Sequence, residues 1–208
     1  MNVYIAPVGG EIGKFRGVVE SFPTIWNGTV LDVGCRSGRF RNILPHQHGP
    51  YLGIDLSTPA DIVGNLEAGL PFNDRSFDTI VCLDVLEHTN DIHGSMLELC
   101  RVAREYVVIS LPNVYELRGR IKFLLGKPLS GKYILPNEPV IDRHRWLFSL
   151  SDADRFCTAW GQRCGFRVIS EGCLVGPKRA SALGKHTISA LPDLLAPTYL
   201  VLLQRVTS

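Results

Sequence analysis

No CxxC pair occurs among the six cysteines (Cys35, Cys82, Cys100, Cys157, Cys164, Cys173), and none joins a histidine at metal-ligand spacing. That speaks against structural zinc and against a disulfide framework, and leaves reduced, mostly buried thiols as the expectation, with no metal. No apolar run reaches the roughly 20 residues that a membrane span needs; the most apolar late stretch, Leu194 to Val206, is broken by Pro197. The opening MNVYIAPVGGEIGK lacks the basic start and apolar run of a secretory signal, so a cytoplasmic protein is expected. Low-complexity tracts and internal repeats are missing, and a net charge of +2 gives no overall pull towards nucleic acid or acidic membranes. What is left, 208 residues with 45% hydrophobic and 20% charged, is the size and composition of one globular domain, 1–208.

Two nucleotide-binding loops are absent as well. Every Gly-Lys pair is followed by a residue other than Ser or Thr: Phe15, Pro128, Tyr133 and His186. A phosphate loop of the G-x-x-x-x-G-K-[ST] kind therefore has no anchor. A dinucleotide turn needs G-x-G-x-x-G, but counting from Gly34 the second and third glycine positions hold Arg36 and Arg39.

Strand-length apolar runs are present in a regular alternation with helical patterns. Val30–Val33, Tyr51–Ile54, Thr79–Leu83, Tyr106–Leu111, Phe166–Ser170 and Tyr199–Val206 are near-continuous, as strands covered on both faces are. Between them Met96, Leu99, Cys100 and Ala103, then Phe156, Cys157, Trp160 and Cys164, repeat at helical spacing, the second group ending at Gly165. Ser151 and Asp154 stand at capping-box spacing. The pattern is α/β, a doubly wound Rossmann-like sheet. Only LSTPA separates the second strand from a candidate third at Asp61–Asn65, too short for the usual crossover helix, which is expected to be short or missing. Residues 113–148 are Pro/Gly-punctuated (Gly119, Gly126, Pro128, Gly131, Pro136, Pro139) and are expected to form an inserted cap over the carboxyl ends of the strands.

The stretch DVGCRSG, Asp32 to Gly38, is a strand end, a glycine turn and an expected helix start with exposed backbone amides. It resembles the first motif of the class I S-adenosylmethionine (SAM) dependent methyltransferases, with Arg36 in place of the middle glycine. Asp55, about 20 residues on at the end of YLGID, stands where a carboxylate accepts hydrogen bonds from a ribose. The run GNLEAGLPFNDRSFDTIVCLDVLEHTND resembles the family's later motifs through Leu70-Pro71-Phe72, Ser76-Phe77-Asp78 and Leu83 to His88. The resemblance covers about Val30 to Pro112. It implies a seven-stranded sheet of order 3-2-1-4-5-7-6 with the last strand antiparallel, and SAM as cofactor, held by Asp32, Gly34, Cys35, Gly38, Asp55, Leu56, Asn65, Leu66, Leu83 and Asp84. Asn65 and Leu66 are expected at the adenine edge and Asp84 beside the sulfonium, whose charge it balances.

Methyl transfer to a hydroxyl or amine needs a base, and the candidates are His144 in DRHRWLFS and His88 after Leu86-Glu87. A hydrogen-bonding role at a helix head for His88 and a packing role for His144 stay open beside that reading. The place where base-methylating enzymes carry Asn/Asp-Pro-Pro-aromatic reads LDVL, so nucleic acid is not expected as substrate. The cap holds seven basic residues (Arg118, Arg120, Lys122, Lys127, Lys132, Arg143, Arg145) against three acidic (Glu116, Glu138, Asp142), which suits a small or lipid-linked, anionic acceptor as well as a solvated face. LPNVYELRGRIKFLLGKP is loosely similar to a stretch in methyltransferase-like proteins associated with methionine biosynthesis. The alternative to an enzyme is a non-catalytic SAM- or partner-binding protein on the same fold, for which Arg36 speaks.

Overall fold

The computed structural model describes residues 1–129, 131–133, 137–138, 140, 142–179 and 181–206; Pro136 and Pro139 of the expected cap lie outside the described residues. Strands β1 (Asn2–Ile5), β2 (Val30–Val33), β3 (Tyr51–Asp55), β4 (Ile62–Val63), β5 (Phe77–Leu83), β6 (Ala103–Pro112), β7 (Phe166–Val175) and β8 (Thr198–Arg205) form one sheet in the order β1-β7-β8-β6-β5-β2-β3-β4. β8 runs antiparallel to both of its neighbours, β6 and β7, and the other pairs are parallel. The helices are α1 (Gly10–Ser21), α2 (Ile92–Val102), α3 (Leu117–Leu124), α4 (Leu150–Arg163), α5 (Ala182–Ala190) and α6 (Pro192–Leu195).

The period-two alternation of the central strands divides the core into two layers. Leu31, Ile80, Val107, Ile109 and Val201 point to one face, where Met96 and Leu99 of α2 and Cys157 of α4 cover them. Val30, Val81, Val108, Leu200 and Leu202 point to the other, where Val18, Val19 and Phe22 at α1 pack with Trp26 and Phe40. Each such side chain, removed from water entirely, contributes about 1.5–3 kcal/mol before the entropy of ordering is subtracted. Five cysteines are buried and Cys164 is half-buried, all as free thiols.

Four sequence expectations change. The sheet has eight strands, not seven, because the N-terminal Asn2–Ile5 adds a parallel edge strand beside β7; four residues with no fully buried member leave little apolar signal. Helix α1 has no counterpart in the sequence pattern, since Gly10, Gly13 and Gly17 lower helix propensity. Gly17 is needed there for close approach: a Cβ would lie 2.7 Å from Leu174 Cδ1 and 3.1 Å from Ala6 Cα. After β2 the expected helix is only a 3-10 turn, Arg39–Ile43, because Pro45 forces Leu44 into extended backbone (ψ 149°). The capping box of α4 starts two residues earlier than expected, with Ser149 and Asp152 exchanging bonds, while Ser151 is engaged by Asp193 and Asp154 accepts from Tyr199. The crossover between β3 and β4 carries no helix.

Segment 113–148 leaves β6 and returns towards α4 at one point, where the Val114 amide donates to the Phe148 carbonyl (2.9 Å). Asn113 anchors the exit through its amide NH2, which donates to the carbonyls of Asp193 (2.9 Å) and Ala196 (2.7 Å). Among the described residues no helix is long and apolar enough to cross a membrane.

Candidate cofactor and acceptor cleft

The carboxyl ends of β2, β3 and β5 open on a cleft of about 1120 Å³, floored by the Gly34 turn and walled by α1 and the returning segment. Single-ligand pockets usually occupy ~300–1,000 Å³, so there is room for two molecules side by side. Of the ten residues expected to hold a cofactor, Asp32, Gly34, Cys35, Asp55, Leu56, Asn65, Leu66, Leu83 and Asp84 line this cleft; Gly38 does not. His88 lines its far end, and His144 sits behind His88.

The glycine turn is built inward. Gly34 takes φ 80°, and a Cβ there would fall 2.3 Å from Val85 Cγ2. Its amide donates to the Ile54 carbonyl (2.8 Å), as does that of Cys35 (3.3 Å); the Arg36 amide donates to Asp55 Oδ2 (2.8 Å) and the Gly38 amide to the Cys35 carbonyl (2.8 Å). The expected row of exposed amides is therefore already bonded, and no α-helix follows it. Such a turn offers little to a phosphate. Arg36 itself has φ 51°, the left-handed conformation that the absent glycine would take, and its exposed guanidinium turns to the rim at 4.0 Å from Glu11 of α1.

The carboxylates around the cleft differ sharply. Asp32 is buried and accepts from the Tyr51 hydroxyl (2.5 Å). Burial pushes its pKa up to about 7, against the pull of that hydrogen bond, and the nearby Asp55 charge adds to the rise. Asp55 holds two backbone amides, Arg36 on Oδ2 and Leu56 on Oδ1 (2.7 Å), and each oxygen keeps lone-pair capacity for a ligand hydroxyl. Asn65 spends its side-chain oxygen on the Glu67 amide (2.9 Å), capping a 3-10 turn, so its NH2 is the group left for a ligand edge.

Asp84 departs from expectation. Its carboxylate is ion-paired with Lys14 of α1 and accepts from Ser110 Oγ (3.0 Å), so its charge already has a partner inside the protein. Nothing in the sequence motifs points to Lys14, because the helix that carries it leaves no clear pattern.

Beyond Asp84 lies a cluster that no local spacing announces: Glu87, His88 and His144 gather their ligand-capable atoms within 4.8 Å of one another. The expectation of no metal rests on spacing along the chain, and this grouping joins residues that such spacing does not relate. The returning segment carries His144 to Glu87 through backbone and side-chain bonds to backbone carbonyls. The Arg145 amide donates to the Glu87 carbonyl (2.7 Å), Arg145 Nε to the His88 carbonyl (3.0 Å) and Trp146 Nε1 to the Thr89 carbonyl (2.7 Å). Burial pushes Glu87 up to about 8, and burial followed by the neighbouring His88 brings His144 down to about 4.

This sheet, with its glycine turn and the acidic ends of two neighbouring strands on one cleft, has the fold of the class I SAM-dependent methyltransferases. Residues 31–109 match the family described as Methyltransferase domain. The chain is 31% identical over 108 residues to the ubiquinone biosynthesis O-methyltransferase of Paracidovorax citrulli, covering 43% of this chain and 45% of that protein. A protein of the same name from Hydrogenovibrio crunogenus is 26% identical over 105 residues, 39% of this chain and 44% of that one. The chain spans less than half the length of these curated relatives. Among solved structures, the magnesium protoporphyrin IX methyltransferase of Synechocystis with bound SAH superposes with a TM-score of 0.57 at 14% identity, over 95% of this chain and 89% of that one. A SAM-dependent methyltransferase of Methanosarcina mazei gives 0.59 at 15% identity, over 92% and 98%. At such identities the likeness is one of fold.

The superfamily's cofactor is SAM, and the cleft fits it. Asp55 retains acceptor capacity at the strand end, and Leu66, Leu83 and Phe15 supply apolar walls.

Proposed function

We propose that this chain transfers a methyl group from SAM to an oxygen of a small or lipid-linked acceptor. The observation that carries the reading is the convergence of Asp32, Gly34, Asp55, Leu66 and Asp84, from four separate stretches of sequence, on one cleft with volume left over for a second molecule. When bound, the cofactor supplies an electrophilic methyl on a sulfonium; the protein's share is positioning and handling of the acceptor's proton.

Asp55 binds the ribose hydroxyls, Asn65 and Leu66 meet the adenine, and the buried Asp32 fixes the turn beneath the methionine part through Tyr51. The acceptor enters between the cofactor and the far end, where segment 113–148 acts as cap and contributes Lys132, Asp142 and Arg145. Its oxygen is presented at His88, with His144 behind, and its proton leaves on that side. An oxygen acceptor is supported by the similarity to the two ubiquinone O-methyltransferases. A lipid-linked one is supported by α3, which buries none of its residues and displays Phe123 and Leu124, 75% and 84% exposed, beside Arg118, Arg120 and Lys122. A basic amphipathic helix of this kind suits a lipid surface.

The test is calorimetric titration with SAM and with its demethylated product, followed by transfer of labelled methyl to hydroxyl-bearing acceptors with and without a polyprenyl tail. Binding of both and label in an oxygen are expected. No binding by folded protein would overturn the reading. Binding without transfer to any acceptor would favour the non-catalytic alternative, which the Lys14–Asp84 pair supports because it engages the carboxylate expected beside the sulfonium.

A further inference from the structure

We propose that Glu87, His88 and His144 form a binding site for a divalent first-row transition-metal ion in the wall at the His88 end of the cleft. The three side chains offer one carboxylate oxygen and two imidazole nitrogens, with Glu87 Oε1 3.9 Å from Nε2 of each histidine. Tetrahedral ligands ~2.1 Å from an ion stand about 3.4 Å apart, so closure round a cation asks for a shift of about half an ångström in each Glu87–histidine pair.

Glu87 is the stronger sign of a ligand. It is fully buried, and neither carboxylate oxygen has a hydrogen-bond partner among the described residues. A carboxyl group taken out of water in this way is costly unless something pairs, coordinates or protonates it. Its neighbours are arranged for coordination. Tyr133 Oη holds His144 at Nδ1 (2.7 Å), and Asp142 Oδ1 stands 3.2 Å from His88 Nδ1. The His144 ring is thus held from behind by a hydrogen bond, whereas His88 Nδ1 has a carboxylate near it but no hydrogen-bond partner among the described residues, and Nε2 of each ring lies 3.9 Å from Glu87 Oε1; outer partners such as Tyr133 orient metal-ligating histidines. The two rings meet edge to face, with centroids 4.6 Å apart and planes at 87°, so their nitrogens converge without stacking. Lys132 pairs with Asp142, which joins the outer layer of the site to the cap.

Two imidazoles and one carboxylate favour Zn²⁺, Mn²⁺, Fe²⁺ or Co²⁺ over Mg²⁺ and Ca²⁺, which prefer all-oxygen surroundings. Three protein ligands leave coordination positions open, and an oxygen-bearing acceptor at His88 is within reach of them. That last step rests on the methyl-transfer reading above; binding of the ion does not.

The test uses the whole chain, stripped with a chelator and titrated with Co²⁺ by visible absorption and with Zn²⁺ by calorimetry, each followed by a thermal melt. One equivalent of ion, the visible bands of a low-coordinate nitrogen–oxygen Co²⁺ site and a rise in melting temperature are expected. Affinity should fall at least tenfold in His144→Ala and in Glu87→Gln, and less in Tyr133→Phe. No stoichiometric binding by folded wild type would overturn the proposal, as would binding undiminished in both ligand variants, which would put the ion elsewhere. Should Glu87→Gln fail to fold, His144→Ala alone decides. Titration with the demethylated cofactor on the same samples separates the two readings: cofactor binding without metal binding sinks this inference alone, and the reverse sinks only the cofactor reading.

Discussion

Arg36→Gly should stabilise the protein slightly and strengthen its grip on a charged cofactor. At φ 51° a side-chain-bearing residue costs about 1–2 kcal/mol relative to glycine, from which the extra unfolded-state entropy of glycine takes back about 0.5–1 kcal/mol. The ion pair that the substitution removes is worth little: 4.0 Å separates Arg36 and Glu11 side chains that are 68% and 37% exposed, about 0–0.5 kcal/mol once solvent screening is counted. The Arg36 amide bond to Asp55 survives in both glycine and alanine. The net gain is about 0.5 kcal/mol, or roughly 1–2 °C in melting temperature for a chain of this length. Arg36→Ala is the control. It removes the same ion pair but keeps the backbone strain, so it should melt at or below wild type, about 1 kcal/mol under the glycine variant. Both substitutions also remove a cation from the cleft rim. Screened as an exposed charge is, that charge opposes a nearby sulfonium by on the order of half a kcal/mol, so affinity for SAM should roughly double in both variants. Affinity for the neutral demethylated product should not move. Paired melts and calorimetry check all of this. Equal melting of the glycine and alanine variants would refute the strain assignment, and parallel changes for charged and neutral cofactor would refute the electrostatic one.

Three further outcomes follow from the cleft. Asp55→Ala should cost about 1–3 kcal/mol of cofactor affinity, a tenfold to hundredfold rise in Kd by calorimetry, with little loss of stability because the freed Arg36 and Leu56 amides are near solvent; an unchanged Kd would place the ribose elsewhere. Gly34→Ala meets both the left-handed backbone and the Val85 methyl at 2.3 Å, so denaturant unfolding should show a loss of about 2–4 kcal/mol; a loss under about 1 kcal/mol would mean a turn looser than this geometry requires. Asp32 stays protonated in the fold up to about pH 7, whereas in the unfolded chain it ionises near pH 4. The folded state therefore binds the extra proton between those values, and stability attributable to Asp32 declines as pH rises through that window. In Asp32→Asn, whose amide oxygen still accepts from Tyr51, that decline should vanish, leaving the variant about 1–4 kcal/mol more stable than wild type at about pH 8 and no more stable at about pH 4. Parallel pH profiles for the two proteins would contradict this.

How much of this is legible in the sequence depends on whether a feature is written locally. The central strands are, because burial on both faces leaves runs such as Val30–Val33 and Thr79–Leu83 with nothing polar to confuse the pattern except residues with a job, Asp32 and Thr79 among them. The ends of those strands are legible too, since the cleft residues Asp32, Gly34, Asp55 and Asp84 each lie in a strand's last residues or open the turn after it. Two overlapping Ser-x-x-Asp pairs in FSLSDAD make the start of α4 ambiguous, and only the tertiary partner Asp193, which takes Ser151, decides for Ser149. Helix α1 is illegible for the reason it packs well: its glycines suppress helix propensity and at the same time allow the close contact with Ala6 and Leu174.

The charge arrangement of the cleft is out of reach for a different reason. Lys14 and Asp84, joined by their ion pair, are 70 residues apart, and Glu87 and His144 are brought together by backbone and side-chain bonds of the returning segment. The sequence motifs name the residues on the strand side of this site because each of those residues sits at or near the end of a locally recognisable strand. The opposite side is supplied by α1 and by Lys132, Asp142 and Arg145 of the returning segment, which none of the motifs includes. On the function proposed above, selectivity among acceptors should respond to changes at Lys132, Asp142 and Arg145 before it responds to changes at the glycine turn.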